Sequence, residues 1–134
     1  MSASGPRSRK SAIADASSGP SPDRSKQARG AWGERKAARW YRDAGYEILD
    51  QNWRASNGEL DLVLFRDGEI VFCEVKARRS ERYGTAAEAV DWRKQRRLRA
   101  LAAQWLRSNG RRGRVRFDVA TVTGVEVDVI EDAF

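Results

Sequence analysis

The sequence predicts a single α/β domain, a mixed central β-sheet flanked by helices, with its elements in the order α-β-β-β-α-β-β. Three observations carry that prediction. One apolar stripe at helical spacing precedes three strand-like segments, and a second separates them from two more. Between the second and third strands, Asp67-Gly68 marks a two-residue hairpin turn.

The first helix is predicted over residues 31–44, with Ala37, Trp40, Tyr41 and Ala44 on one stripe and Gly45 as its stop. A strand follows in "YEILDQNW", with Tyr46, Ile48 and Trp53 directed inward. Strands over Leu60–Phe65 and Ile70–Ala77 flank the Asp67-Gly68 turn. A second helical stretch runs from Ala86 to Ser108, with a break at Asp91 as a possible N-cap. Its stripe is Leu98, Leu101, Ala102, Trp105 and Leu106, and Asn109-Gly110 ends it. Strands over Val115–Val122 and Val125–Ile130 meet at Thr123-Gly124. Residues 1–29 are rich in Ser, Ala, Gly, Pro and charge without periodicity, and read as a disordered basic tail. Residues 30–134 form the folded domain.

Composition removes several function classes. The 134 residues include one cysteine and no histidine, so a disulfide framework, a histidine zinc site and a Ser-His-Asp triad are excluded. No apolar run is long enough for a membrane span, and no secretory signal pattern is present, so cytoplasmic residence without membrane association is the expectation. The net charge of +7 invites a nucleic-acid partner, yet the tail carries six Lys/Arg against two Asp and accounts for more than half of it.

The stretch "GELDLVLFRDGEIVFCEVKAR" carries the chemistry. A type I′ turn at Asp67-Gly68 sets Phe65 opposite Ile70 and Val63 opposite Phe72. Continued outward, that register sets Asp61 opposite Glu74 and Glu59 opposite Lys76, all on one face. Leu60, Leu62, Leu64, Val71, Cys73, Val75 and Ala77 fall on the other, so both faces are apolar and the strands read as central. Directly opposed carboxylates about 5 Å apart repel by roughly 3 kcal/mol at an effective dielectric of 20. A hard divalent cation, Mg or Mn, held by Asp61 and Glu74 would relieve this. A salt-bridge cluster with arginines such as Arg78 would relieve it too. With a cation bound, Lys76 could orient a water or stabilise charge during phosphodiester hydrolysis. Cys73 reads as a packed core thiol.

Between Asp91 and Arg116 lie ten Lys/Arg and a single acid. Arg93, Lys94, Arg96 and Arg97 cluster at the start of the helix; Arg78, Arg79 and Arg82 lie just past the acidic end of the hairpin. Such density suits phosphate neutralisation, and equally a solvated helix face. Trp53 and Trp92 are able to stack on bases or to serve as core.

"GELDLV" followed by "DGEIVFCEVKAR" resembles the core motif of the restriction-endonuclease-like, PD-(D/E)xK, nuclease superfamily. "GERKAARWYRDAGYEILDQNWR", "VFCEVKARRSERYGTAAEAV", "RKQRRL" and "RFDVA" further resemble the YraN family of small bacterial proteins, over about residues 30–122. The resemblance implies a restriction-endonuclease-like sheet with catalytic-type residues at Asp61, Glu74 and Lys76. Superfamily members related to archaeal Holliday-junction resolvases add a glutamate from the first helix, which is Glu34 here, completing a metal set of Asp61, Glu74 and Glu34. Gln95 stands where some members carry a helical glutamine near the site. Some nucleases of this fold act as dimers, so a homodimer is allowed. The resulting expectation is a nucleic-acid-binding, Mg/Mn-dependent, endonuclease-like hydrolase acting on DNA. The alternative is a non-catalytic DNA- or RNA-binding module on the same fold.

Overall fold

The structure, a computed structural model, describes residues 24–78 and 90–134. The expected element order is the one found. Helix α1 (Arg24–Asp43) leads into strands β1 (Glu47–Ala55), β2 (Gly58–Arg66) and β3 (Glu69–Arg78). Helix α2 (Trp92–Ser108) then precedes β4 (Arg114–Thr123) and β5 (Glu126–Ile130). The five strands lie in the order β1-β2-β3-β4-β5; β3 and β4 are parallel and every other neighbour pair is antiparallel. The parallel pair needs a crossover, and the connection that contains α2 supplies it.

Helix α1 starts at Arg24, earlier than its apolar stripe predicts. Lys26-Gln27-Ala28-Arg29 is a run of good helix formers, and helix propagates through such residues without an apolar face. Ala37, Ala38 and Tyr41 are buried against the sheet. The helix ends in a Schellman turn: Gly45 donates to Arg42 and Tyr46 to Tyr41, each at 2.9 Å, with Gly45 at φ +92 where a side chain would be strained. The tail reading for residues 1–23, and Arg79, Arg82 and residues 86–89 of the longer second helix, lie outside the described residues.

The Asp67-Gly68 turn forms as expected, with φ of +52 and +78 at its two residues. It fixes the predicted pairs Phe65–Ile70 and Val63–Phe72. Two cores result. Leu62, Leu64, Val71, Cys73, Ala120 and Val122 pack with α1 and Tyr46, and Val63, Ile70, Phe72, Phe117 and Val119 pack with α2 through Leu98, Leu101 and Trp105. Asp91 caps α2 by accepting from Lys94 N at 3.0 Å, so the helix begins where the sequence placed the break.

Two expectations about the hairpin's open end need correction. The β2–β3 ladder stops at Leu62–Cys73, so Asp61 and Glu74 are not a backbone-paired couple, and Glu59 does not face Lys76. Leu60 lies in the α2 core rather than beside Leu62 and Leu64. The cause sits on β1. Asn52, between the pairs Gln51–Leu62 and Trp53–Leu60, has φ +52, and a bulge separates Ile48 from Asp50. Strand alternation breaks where β1 takes that turn. Trp53 accordingly packs toward α2, whereas Tyr46 and Ile48 pack toward α1.

Candidate functional site

Where β2 and β3 part, Asp61 fills the gap. Its Oδ2 accepts from the Val75 N–H at 2.9 Å, replacing a ladder hydrogen bond with a charge-bearing one. This anchors the carboxylate between the two strands. Glu34 reaches the same place from α1 because Gly33 allows the helix to sit against β3. A Cβ on Gly33 would lie 2.9 Å from the Ala77 Cβ. Glu59, two residues before Asp61 on β2, completes the group. One carboxylate oxygen from each of Glu34, Glu59 and Asp61 lies within 4.8 Å of the others.

Glu74 lines the same cleft but stands outside that trio. The cleft, about 300 Å³, is lined by Asn57, Gly58, Glu59, Asp61, Glu74, Lys94, Arg97 and Leu98. Glu74 is 8% exposed, and its Oε2 holds two ammonium groups, Lys94 Nζ at 2.7 Å and Lys76 Nζ at 3.7 Å. Glu59 is 3.7 Å from Arg54 rather than near Lys76.

Burial, and then the crowding of acids, sets the electrostatics. Burial, then the Glu74 charge, pushes the Asp61 carboxyl up to about 8, against the pull of the Val75 N–H and with further upward pressure from Glu34 and Glu59. Burial raises Glu34 to about 7, opposed by a hydrogen bond from Asn52. Lys76 is lowered by burial and by the neighbouring Lys94 ammonium. Burial also pulls Lys94 down, but its bond to Glu74 and the surrounding acids more than offset this and raise it. Four carboxyl groups thus share one place with two ammonium groups, and the balance favours holding protons or gaining a cation.

The donor set fits a hard divalent ion. Two oxygens bound to one such ion at about 2.1–2.4 Å each lie at most about 4.2–4.8 Å apart. One oxygen each from Glu34, Glu59 and Asp61 lies within 4.8 Å of the others, and all the donors are oxygen.

The structure therefore gathers the expected Asp61, Glu74, Lys76 and Glu34 around one end of the hairpin. Two further residues join them: Glu59, expected at this end but opposite Lys76, and Lys94, expected on the surface. Glu59 joins the carboxylate group, and Lys94, expected among the phosphate-binding residues, turns inward to Glu74. Thr121, paired in register with Lys76, has a buried hydroxyl without a hydrogen-bond partner among the described residues. Gln95 turns back to its own helix start, donating to the Val90 carbonyl at 3.1 Å. Cys73 is buried in the α1 core with its thiol pushed up by burial.

Arg97 lines the cleft, and further basic side chains lie on the elements that form it. Arg93, Arg96 and Arg97 are exposed on α2, and Arg78 ends β3 half-buried. Trp92 is 57% exposed, with the Arg93 and Arg96 guanidinium groups 5.1 and 5.7 Å from its ring centre. Across the sheet, Arg35, Arg39 and Arg42 line a hollow of about 610 Å³ with Ala38, Asp43 and Gln51. No helix of the described residues is long and apolar enough to cross a membrane.

A family model described as an uncharacterised protein family, UPF0102, matches residues 33–122, the span from the glycine beside Glu34 to the end of β4. A UPF0102 protein of Frankia casuarinae is 53% identical over 118 residues, covering 83% of this chain and 99% of its own. One from Rhodococcus jostii is 48% identical over 111 residues, covering 78% and 94%. A third, from Moorella thermoacetica, is 48% identical over 115 residues, covering 79% and 94%.

Proposed function

This chain belongs to the uncharacterised family UPF0102, and for it we propose a restriction-endonuclease-like role: nucleic-acid binding with divalent-metal-dependent hydrolysis of phosphodiester bonds, DNA being the substrate. The observation that carries the reading is the convergence of Glu34, Glu59 and Asp61 within 4.8 Å in a cleft that also presents Glu74, Lys76 and Lys94.

Glu34, Glu59 and Asp61 would hold Mg²⁺ or Mn²⁺, with Glu74 beside them. A bound ion of this kind polarises a phosphoryl oxygen and lowers the pKa of a bound water. The protein's own groups do the rest. Asp61 is fixed by the Val75 N–H, so its carboxylate needs little reorganisation. Lys76 projects from β3 beside Glu74, where its ammonium donates to a water or to a phosphate oxygen as charge develops. Arg93, Arg96 and Arg97 offer an exposed cationic surface for the backbone phosphates. Trp92 offers a ring face for an unpaired base.

A second reading, binding without turnover, is favoured by one observation. Glu74 is already neutralised by Lys94 at 2.7 Å, as in a structural ion pair.

Incubation with plasmid, linear and branched DNA in Mg²⁺ or Mn²⁺ separates the readings. Hydrolysis predicts cleavage that Asp61→Ala and Lys76→Ala each abolish. Salt-dependent binding without cleavage, surviving both substitutions, replaces the first reading with the second. Absence of binding overturns both.

A further inference from the structure

We propose that Lys94 is a built-in occupant of the cation position at Glu74, and that it yields Glu74 to a divalent ion when its ammonium transfers to a phosphate of bound nucleic acid. Lys94 thereby couples ion affinity to substrate binding. The inference rests on the divalent-ion reading of the cleft.

The geometry points to exchange rather than a permanent strut. Lys94 and Lys76 approach the same oxygen, Glu74 Oε2, at 2.7 and 3.7 Å. Two ammonium groups on one oxygen repel each other, which weakens the hold of Glu74 on each. The three carboxylates that already converge are Glu34, Glu59 and Asp61; the fourth acid of the cleft is the one that Lys94 holds.

Lys94 is also well placed to leave. It sits in the first turn of α2, where the helix dipole disfavours a cation. Its side chain is 26% exposed, on a four-carbon stem that pivots without moving the helix. Arg97, three residues on along the helix and lining the same cleft, is exposed, so a phosphate drawn to it arrives beside Lys94. A phosphate oxygen replaces Glu74 as the partner of Lys94, and the freed carboxylate becomes available to the ion. By reciprocity, the ion then tightens nucleic-acid binding by the same factor.

The test is Mn²⁺ binding, read as the loss of the free-ion paramagnetic resonance signal. It is measured with and without a 20-base-pair DNA duplex, for wild type, Lys94→Met and Lys94→Gln. Wild type is expected to bind Mn²⁺ on the order of ten-fold more tightly with the duplex than without it. Both variants are expected to bind the ion tightly without the duplex and to gain little from adding it. Arg97→Gln, a charge loss in the same cleft away from Glu74, controls for the general field and is expected to change duplex-free affinity less than Lys94→Met. Mn²⁺ affinities that the Lys94 substitutions leave unaltered, or an equal gain with Arg97→Gln, overturn this inference while the divalent-ion reading stands. No Mn²⁺ binding by any of the proteins overturns that reading and this inference together.

Discussion

Tyr41 on α1 donates a 2.6 Å hydrogen bond to Asp118 on β4, 77 residues along the chain, and Asp118 has no exposure to solvent. Arg116 completes the carboxylate's coordination, with Nε at 2.8 Å and an Nη at 2.9 Å, and the Asp132 N–H adds a fourth bond at 3.0 Å. Arg116 reaches on to the Tyr46 hydroxyl at 2.8 Å and to Glu69 at 3.2 Å. One buried acid therefore ties together α1, β4 and the C-terminal turn. Since Glu34 rides on α1, this network also holds the acidic cleft in shape.

Asp118→Ala is expected to destabilise the fold by about 3–5 kcal/mol, because it takes the fully buried carboxylate from a nearly buried guanidinium, leaving it Tyr46 and Glu69, and from the Tyr41 hydroxyl. Tyr41→Phe removes one hydrogen bond and leaves the carboxylate its other three, so a smaller cost of about 1–3 kcal/mol is expected. Urea denaturation midpoints measure both. Equal costs for the two substitutions would contradict the view that Arg116 and Asp118 form the centre of the network.

Gly33 predicts a separation of stability from site geometry. Gly33→Ala gains helix propensity worth about 1 kcal/mol. Its methyl, however, lands 2.9 Å from the Ala77 Cβ, and overpacking there costs about 1–3 kcal/mol. A net change of only about 0–2 kcal/mol is expected in thermal melts. Mn²⁺ affinity should fall further than that cost suggests, since relief of the clash lifts Glu34 away from Glu59 and Asp61. Wild-type ion affinity in this variant would dissociate Gly33 from the site.

How much of this was legible beforehand differs by residue. The hairpin register could be read because Asp67-Gly68 fixes it locally, and the α2 stripe because its period is local as well. The parting of β2 from β3 could not, since it depends on the left-handed Asn52 on a third strand. Lys94 read as one more surface cation, because a side chain's reach across an N-cap turn leaves no mark in local pattern. Asp118 did leave a trace, an acid within the otherwise apolar "FDVATV", but its partner lies 77 positions away. The carboxylates were recognisable by type and spacing, while their mutual distances required the fold.

Acid crowding predicts an unusual pH dependence. Glu34 and Asp61 sit at about 7 and about 8 in the folded chain, against ordinary values of 4.5 and 3.8. The folded state therefore binds more protons than the unfolded one between those limits. Stability from these two groups is fully present below about pH 4 and is lost as pH rises through 7 to 8. Thermal melts without divalent ions should fall over pH 5 to 8.5. Mg²⁺ or Mn²⁺ should restore the midpoint, and most strongly at the alkaline end, where the carboxylates are already free of protons. Asp61→Asn should flatten the profile and remove most of the metal response. A profile that rises with pH would refute the crowding argument.

Cationic residues on both faces of the sheet predict how binding responds to salt. Each phosphate neutralised contributes a slope of about −0.9 in log affinity against log salt for duplex DNA. Arg97 lines the cleft and Arg93 and Arg96 are exposed on the same helix, so their combined replacement by glutamine should lower the slope by about 2–3 and weaken binding steeply. Arg35, Arg39 and Arg42 recur at helical spacing along α1, over the hollow beside β1. If the bound duplex reaches across the sheet edge, the triple glutamine variant there should also lower the slope. If the footprint is confined to the α2 side, that variant should leave the slope within error of wild type. Fluorescence anisotropy of a labelled duplex from 50 to about 300 mM salt distinguishes the two outcomes. In either case Mn²⁺ binding in the absence of DNA should change less with the α1 substitutions than duplex binding does, since the three arginines are exposed to solvent and screened by salt.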